Sequence, residues 1–307
     1  MRLRRQIGGA QDLRSVVRAM KAQAAARVGQ CERASTSIAA YADAVELGLG
    51  AALRATGRLA PLRRRAGAPP EIGSRAVVFA VVFGSDQGLV GRFNEIVAEF
   101  AARSLAARPD APRVWAVGER VRDALEAAGV PVLEAVPVPV GAQGIAGRVT
   151  SLLARILDPP QRHAATDGAA TLHLFYNRPA AGGSSACEPV AQRLLPLDED
   201  WERAAASRRW PTALPPQVLG REGQTLRALI REHLFVSLFR ACADSMAGEN
   251  ASRLAAMERA DRNIDDRLQA LRRSFHRLRQ GRIDGELSDV VAGFRALGDP
   301  APAPPRR

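Results

Sequence analysis

The segment with the clearest chemical potential is Gly84-Ser85-Asp86-Gln87-Gly88-Leu89-Val90-Gly91, a glycine-rich stretch between an apolar run and a helical one. In an α/β fold, a turn of this kind after a strand is where a nucleotide's phosphates meet a helix N-terminus. The spacing is not Gly-x-Gly-x-x-Gly, and no acidic residue closes a second strand about 20 residues on, where a ribose-binding carboxylate would stand. The other reading is a tight strand-to-helix turn in which Ser85 or Asp86 bonds local backbone amides. A Walker A loop is excluded. It needs a lysine after the glycine-rich turn, and Lys21, the only lysine among 44 basic residues, lies in Ala19-Met20-Lys21-Ala22. That basic setting does not suit a Schiff-base lysine either. His163, His173, His233 and His276 form no i, i+4 pair and have no neighbouring cysteine, so no metal site is expected. Ser184-Ser185 lies in a glycine-rich loop without the pattern of a nucleophile elbow. Cys31, Cys187 and Cys242 contain no Cys-x-x-Cys pair, and their odd number suits buried free thiols in a reducing compartment. Nothing here reads as an active site, and no cofactor is expected.

Charge is more informative. The formal net charge is +12, and residues 1–27 carry Arg2, Arg4, Arg5, Arg14, Arg18, Lys21 and Arg27 against Asp12 alone. Residues 272–282 carry Arg272, Arg273, Arg277, Arg279 and Arg282 with no acid. Such runs are solvated faces or the footprint of an acidic partner, nucleic acid included. Aromatic content is only 5%, thin for stacking single-stranded bases but no obstacle to duplex binding. The longest apolar run, Ala76 to Phe83, falls far short of the roughly 20 residues of a membrane span. Met1-Arg2-Leu3-Arg4-Arg5 has no apolar stretch behind it, so no secretory signal is expected, although composition leaves an arginine-rich organelle presequence open. The expectation is a cytoplasmic protein with a partner of opposite charge.

The elements that must position these residues fall into three parts. Positions seven apart from Leu3 read Leu3, Ala10, Val17, Ala24, Cys31, Ile38, Val45 and Ala52, all apolar, while the row from Gln6 is mixed. One seam of mostly small residues marks a helix lying along another helix. Running from about residue 2 to 57, it would be roughly 80 Å long. The other end repeats the pattern through Leu229, Val236, Ala243, Asn250, Met257, Ile264, Leu271 and Leu278, with Asn250 and Asp261 as polar breaks. Two terminal helices separated by a domain pair most simply as an antiparallel coiled coil, which would bring the basic runs together as a collar. Residues 58–73 read as a Pro, Arg and Gly-rich linker, and the Pro-rich tail at 298–307 cannot be helical. Between linker and second helix (221–297), residues 74–220 alternate strands (76–83, 113–117, 131–136, 171–176) with helices (93–107, 119–128, 145–157). This predicts a Rossmann-like α/β domain with a parallel, doubly wound sheet. Residues 179–186 and 198–220 read as loops.

In that setting three segments resemble the γ subunit of rotary F-type ATP synthases. Ile7 to Arg27 resembles that family's opening helix through Val16, Arg18-Ala19-Met20-Lys21 and Ala24-Ala25-Ala26-Arg27. Ser85 to Asn94 is similar to its Ser-Asp-Arg-Gly-Leu-Cys-Gly-Gly-Leu-Asn signature. Glu249 to Met257, followed by Arg279-Gln280, Ile283, Glu286 and Gly293, resembles the closing helix with its Arg-Gln-x-x-Ile-Thr-x-Glu-Ile motif. The departures are Asp284 for the usual threonine, Asn250 for His or Gln, and Gln87 and Arg92 for Arg and Gly. They suggest a divergent bacterial branch, of the kind of the alternate synthases that occur beside a standard one. The family's plant-type regulatory cysteine pair has no counterpart here.

The resemblance implies a non-catalytic rotor shaft with no active site of its own. Its partners would be the α and β subunits of the catalytic head, the ε subunit and the c ring, with no nucleic acid and no membrane span. It would sit peripherally on the cytoplasmic face of the plasma membrane. By the same resemblance Arg279, Gln280 and Glu286 contact a β subunit, and Arg18, Met20 and Lys21 face the acidic lower lever of β. Glu249 and Arg253 are polar positions of the long helix, equally suited to a structural bridge, and Ser85, Asp86 and Gly88 shape the domain's first turn. The reading from another class is a basic coiled-coil nucleic-acid-binding protein with a degenerate Rossmann domain.

Overall fold

A computed structural model describes residues 2–55, 77–106, 112–157, 171–180, 187–197, 199–214, 216–217 and 222–298. The linker at 58–73, His163, Ser184, Ser185 and the tail beyond 298 lie outside them. The chain divides into two compact units: Ala22–Ala256, and Met1–Lys21 together with Met257–Arg307.

The larger unit is built on a five-stranded sheet of β1 (Val78–Phe83), β2 (Arg113–Val117), β3 (Val132–Val136), β4 (Thr171–Pro179) and β5 (Cys187–Leu195), in the order β3-β2-β1-β4-β5. β1 is central and parallel to both neighbours, with Val81 beside Trp115 on one side and Leu174 on the other. All six β1 residues are buried, as a strand covered on both faces requires, which is why it reads as an unbroken apolar run. One face, through Phe79, Val81, Phe83, Trp115 and Leu174, packs against α5 (Ile145–Ile156) and against Leu234, Leu238, Ala241 and Met246 of the long helix α7 (Glu222–Gly298). The other, through Val78, Ala80, Val82, Val114 and Phe175, packs against Val97, Ala101 and Leu105 of α3 (Phe93–Ala106) and Val121 and Leu125 of α4 (Glu119–Ala127).

Three expectations need correction. The sheet is not wholly parallel: β5 pairs antiparallel with β4 in a stretch with no clean alternation, half-exposed at the sheet edge and interrupted by Pro189. Residues 198–220 are not all loop, because Glu199–Ser207 forms the short helix α6. The first helix is not continuous. It breaks at Ile38 into α1 (Arg2–Ser37) and α2 (Ala39–Ala55), just after Ser35-Thr36-Ser37. There the Thr36 hydroxyl donates to the Glu32 carbonyl at 2.9 Å, Ser37 to the Ala34 carbonyl at 2.9 Å, and Ser35 to Asp244 at 2.8 Å. Hydroxyls bonded back to helical carbonyls compete with the backbone ladder and bend it.

In the smaller unit, α1 and α7 run antiparallel with a constant register. Lys21 faces Glu258 at 3.2 Å, Arg18 faces Asp261 at 3.4 Å, Arg14 faces Asp265 at 2.7 Å, and the Arg4 guanidinium lies 5.5 Å from the Phe275 ring centre. Each step back along α1 is matched by an equal step forward along α7. The apolar seam faces inward, with Val17, Met257 and Leu268 buried. Asp261, a polar break in sequence, accepts from both Arg14 and Arg18.

Candidate functional site

The turn after β1 is held by its own side chains. The Asn94 carbonyl oxygen accepts from the Ser85 amide at 2.9 Å, and the Asn94 amide donates to the Ser85 hydroxyl at 2.9 Å. Asp86 reaches much further along the chain. Its Oδ1 accepts from the Glu119 amide at 3.0 Å and its Oδ2 from the Val138 amide at 2.9 Å. One carboxylate thus occupies the N-terminus of α4, the position an anionic ligand would take, and ties the exits of β1, β2 and β3 together. Backbone fit closes the rest. A Cβ on Gly84 would lie 2.3 Å from Val121 Cβ, and Gly118, at φ +120°, brings the Ser85 carbonyl to 2.7 Å from where a Cβ would stand. Ser85 and Asp86 therefore shape the turn, although Asp86 bonds remote amides where the sequence suggested local ones. Gly88 faces open space, and the left-handed residues are Leu89 (φ 62°) and Gly91 (φ 63°). Asn94 was not singled out as a site residue, although it closes the matched turn signature; it reaches Ser85 from the first turn of α3, directly after the loop.

Beside this turn, Arg253 and Glu249 form a buried ion pair on α7, 2.7 Å apart, with side chains 8% and 10% exposed. Arg253 also donates to Asn250, whose amide bonds the Met246 carbonyl at 2.7 Å. Burial pushes the Glu249 carboxyl above its ordinary range, while Arg253 and, more weakly, Arg27 pull it back. Arg27, Asp86, Glu249, Asn250 and Arg253 line a cleft of about 150 Å³. Within the described residues, Glu249 and Arg253 thus answer each other's charge across one turn of α7.

In the smaller unit, the charges of Arg18 and Lys21 meet Asp261 and Glu258, while Met20 is half-buried. Arg279, Gln280 and Glu286 lie along the exposed end of α7, where every residue from 276 to 295 is exposed. Gln280 donates to Asp284 at 3.1 Å and Arg282 pairs with Glu286 at 2.9 Å. Among the described residues, Arg279 has no ion pair or hydrogen bond. Further along α7, Leu278, Ile283, Leu287, Val290, Val291 and Phe294 are 45–81% exposed.

No group of three metal-ligating side chains occurs among the described residues. His173 and His233 are buried and His276 is exposed. Desolvation pushes the Cys31 thiol up to about 11 and raises Cys242 and Cys187 as well, so no thiolate is available as a nucleophile. No helix among the described residues is long and apolar enough to cross a membrane.

A family model described as ATP synthase matches residues 1–297. Among similar proteins, the ATP synthase gamma chain of Paramagnetospirillum magneticum is 28% identical over 307 residues, covering 96% of this chain and 98% of its own length. That of Methylobacterium nodulans is 28% identical over 303 residues with the same coverage. Among solved structures, the chain resembles one in the Euglena gracilis mitochondrial ATP synthase (OSCP/F1/c-ring, rotational state 3) with a TM-score of 0.63. The identity is 15%, over 99% of this chain and 97% of that one. A second similar chain lies in the central stalk and c-ring of the Tetrahymena thermophila mitochondrial ATP synthase, with a TM-score of 0.56, 19% identity and coverage of 80% and 99%.

Proposed function

Because the chain belongs to the ATP synthase family, as a gamma subunit of the rotor's central stalk, we propose that its paired helices turn inside a ring of three α and three β subunits. Its α/β domain, with the ε subunit, docks on the c ring. The protein is a peripheral part of a membrane complex, and the cytoplasmic face of the plasma membrane is the site this reading assigns to it. Coupling follows from asymmetry. A shaft that touched three β subunits identically could bias none of them, since only differential interaction shifts an equilibrium. An off-axis coil meets each β differently, so its rotation changes which one holds nucleotide firmly. Ion flow then drives product release, and hydrolysis runs the shaft backwards.

The observation that carries this reading is the exposed end of α7. Six large apolar side chains exposed along one helix are a large uncovered surface for a single chain and fit a surrounding sleeve. Arg279, without a partner among the described residues, is free to meet a β carboxylate, for which the guanidinium fork is geometrically suited. Gln280 and Glu286 extend that contact. Arg18, Met20 and Lys21 would act on the lower lever of β while their charges are shared with Asp261 and Glu258, which makes them the weaker handles. Nothing in the family match or the similar structures supports a nucleic-acid-binding shaft.

The test is ATP-driven ion pumping by inverted vesicles carrying Arg279→Ala, Gln280→Ala or Lys21→Ala, with assembly followed by subunit stoichiometry. Losing a charge-assisted hydrogen bond costs roughly 1.5–3 kcal/mol, whereas an exposed ion pair is worth about 1 kcal/mol or less. The expected order of damage is Arg279 above Gln280 above Lys21. Full pumping and assembly in the Arg279→Ala, Gln280→Ala double variant would move the contact to other residues.

A further inference from the structure

In the smaller unit the cations of α1 from Arg14 to Lys21 are answered across the coil by Asp261, Asp265 and Glu258. Nearer the N-terminus this stops. Arg2, Arg4 and Arg5 are exposed, as are Arg272, Arg273 and Arg277 of α7, and neither 1–11 nor 267–283 contains an acid. The Arg4 guanidinium lies 5.5 Å from the Phe275 ring centre, so the two triplets share one stretch of the coil. Arg282, further along α7, pairs with Glu286; none of the six has an ion pair among the described residues. We propose that these six arginines form a docking collar for carboxylates lining the bore of the ring of α and β subunits, and that the collar draws the coil into that bore by long-range attraction. This rests on the reading of the chain as the shaft within that ring.

The spacing makes the charges act together. Residues 272 to 277 rise about 8 Å along the helix axis, no more than the roughly 8 Å over which a charge is screened at physiological salt. Their fields therefore add in the solvent around the coil and steer an oppositely charged surface towards it. In water each guanidinium is hydrated and costs the chain little. Inside a protein bore that water is displaced, and a charge left there without a partner is strongly unfavourable. Six such charges fit a bore only if it presents acids to them. Arginine suits the contact, because its planar fork meets a carboxylate through two parallel hydrogen bonds. A nucleic acid would satisfy the charge as well, but the neighbouring Leu278 and Ile283 are exposed apolar side chains. A protein bore covers both features, whereas a phosphate backbone covers the charge alone.

The test follows the rate at which the full chain joins a ring of the α and β subunits of its own synthase, as KCl rises from about 0.05 to about 0.5 M. A short DNA duplex serves as a second immobilised target. The wild-type rate should fall by about tenfold or more across that range, as steered association does. The Arg272→Gln, Arg273→Gln double variant should be about threefold or more slower at low salt and match the wild type at high salt, where screening hides the collar. A wild-type rate that changes by less than about twofold, a variant as fast as the wild type at low salt, a variant deficit that persists at high salt, or tighter capture by the duplex than by the ring overturns the collar while leaving the shaft reading in place. Failure of the wild-type chain to join the ring at any salt concentration overturns both.

Discussion

Replacing Arg253 by methionine keeps the volume of the stem and removes the guanidinium. Glu249 would then be a carboxylate with a side chain only 10% exposed, deprived of its 2.7 Å partner, with Arg27 the remaining positive influence on it. Breaking a buried pair on one side costs about 3–5 kcal/mol, because the charge left behind is uncompensated. The carboxylate can escape by taking up a proton, and each unit of raised pKa is worth about 1.4 kcal/mol. Burial already holds Glu249 above its ordinary 4.5, and Arg253 is the largest influence opposing that rise. Its removal raises the folded value further. A carboxyl raised on folding contributes stability below its unfolded value and loses it as pH climbs through the folded one. Arg253→Met should therefore lose about 3–5 kcal/mol at pH 8 and recover much of it towards pH 5. Glu249→Gln with Arg253→Met should be more stable than Arg253→Met alone at pH 8, since no buried charge remains. The assay is urea unfolding of the full chain followed by tryptophan fluorescence, Trp115 being fully buried in the same unit. A loss below about 1 kcal/mol at pH 8, within the range of a surface pair, or one that deepens on acidification, would refute the reasoning.

Asp86→Ala removes the acceptor of two backbone amides and should destabilise the domain by about 2 kcal/mol or more, with exchange rising first around residues 118–120 and 137–139; unchanged exchange there would count against the clasp. Gly84→Ala drives a methyl into Val121 and Asn94 and should cost about 1–3 kcal/mol by overpacking, read from the same unfolding curve. The isolated chain should show no ATP binding tighter than millimolar by isothermal titration, because its own Asp86 occupies the α4 N-terminus; micromolar binding would contradict this. Deleting residues 2–27 uncovers the α7 seam and should lower hydrogen-exchange protection across 264–278, whereas unchanged protection would argue against antiparallel pairing.

The long helices were legible because their signal is local and periodic. Val17, Ala24, Cys31, Val45 and Ala52, read at intervals of seven, are buried where the seam places them, since a helix face repeats whatever it packs against. β1 was legible for the same reason: burial on both sides leaves an unbroken apolar run. The break at Ile38 was written in Ser35-Thr36-Ser37, but only Asp244, from α7, shows which hydroxyl leaves its own helix. β5 and α6 escaped because a half-exposed edge strand and a nine-residue helix take their stability from neighbours rather than from any pattern of their own. Ser85, Asp86, Glu249 and Arg253 could be picked out in sequence, but the remote partners of Asp86 and the burial of the Glu249–Arg253 pair could not. Asp86 is 33 residues from one of its partners and 52 from the other, and the Glu249–Arg253 pair matters because the surrounding packing takes it out of water. Composition and periodicity determine which faces must be covered, while tertiary structure decides what covers them and so sets the free energy of every charge they bury.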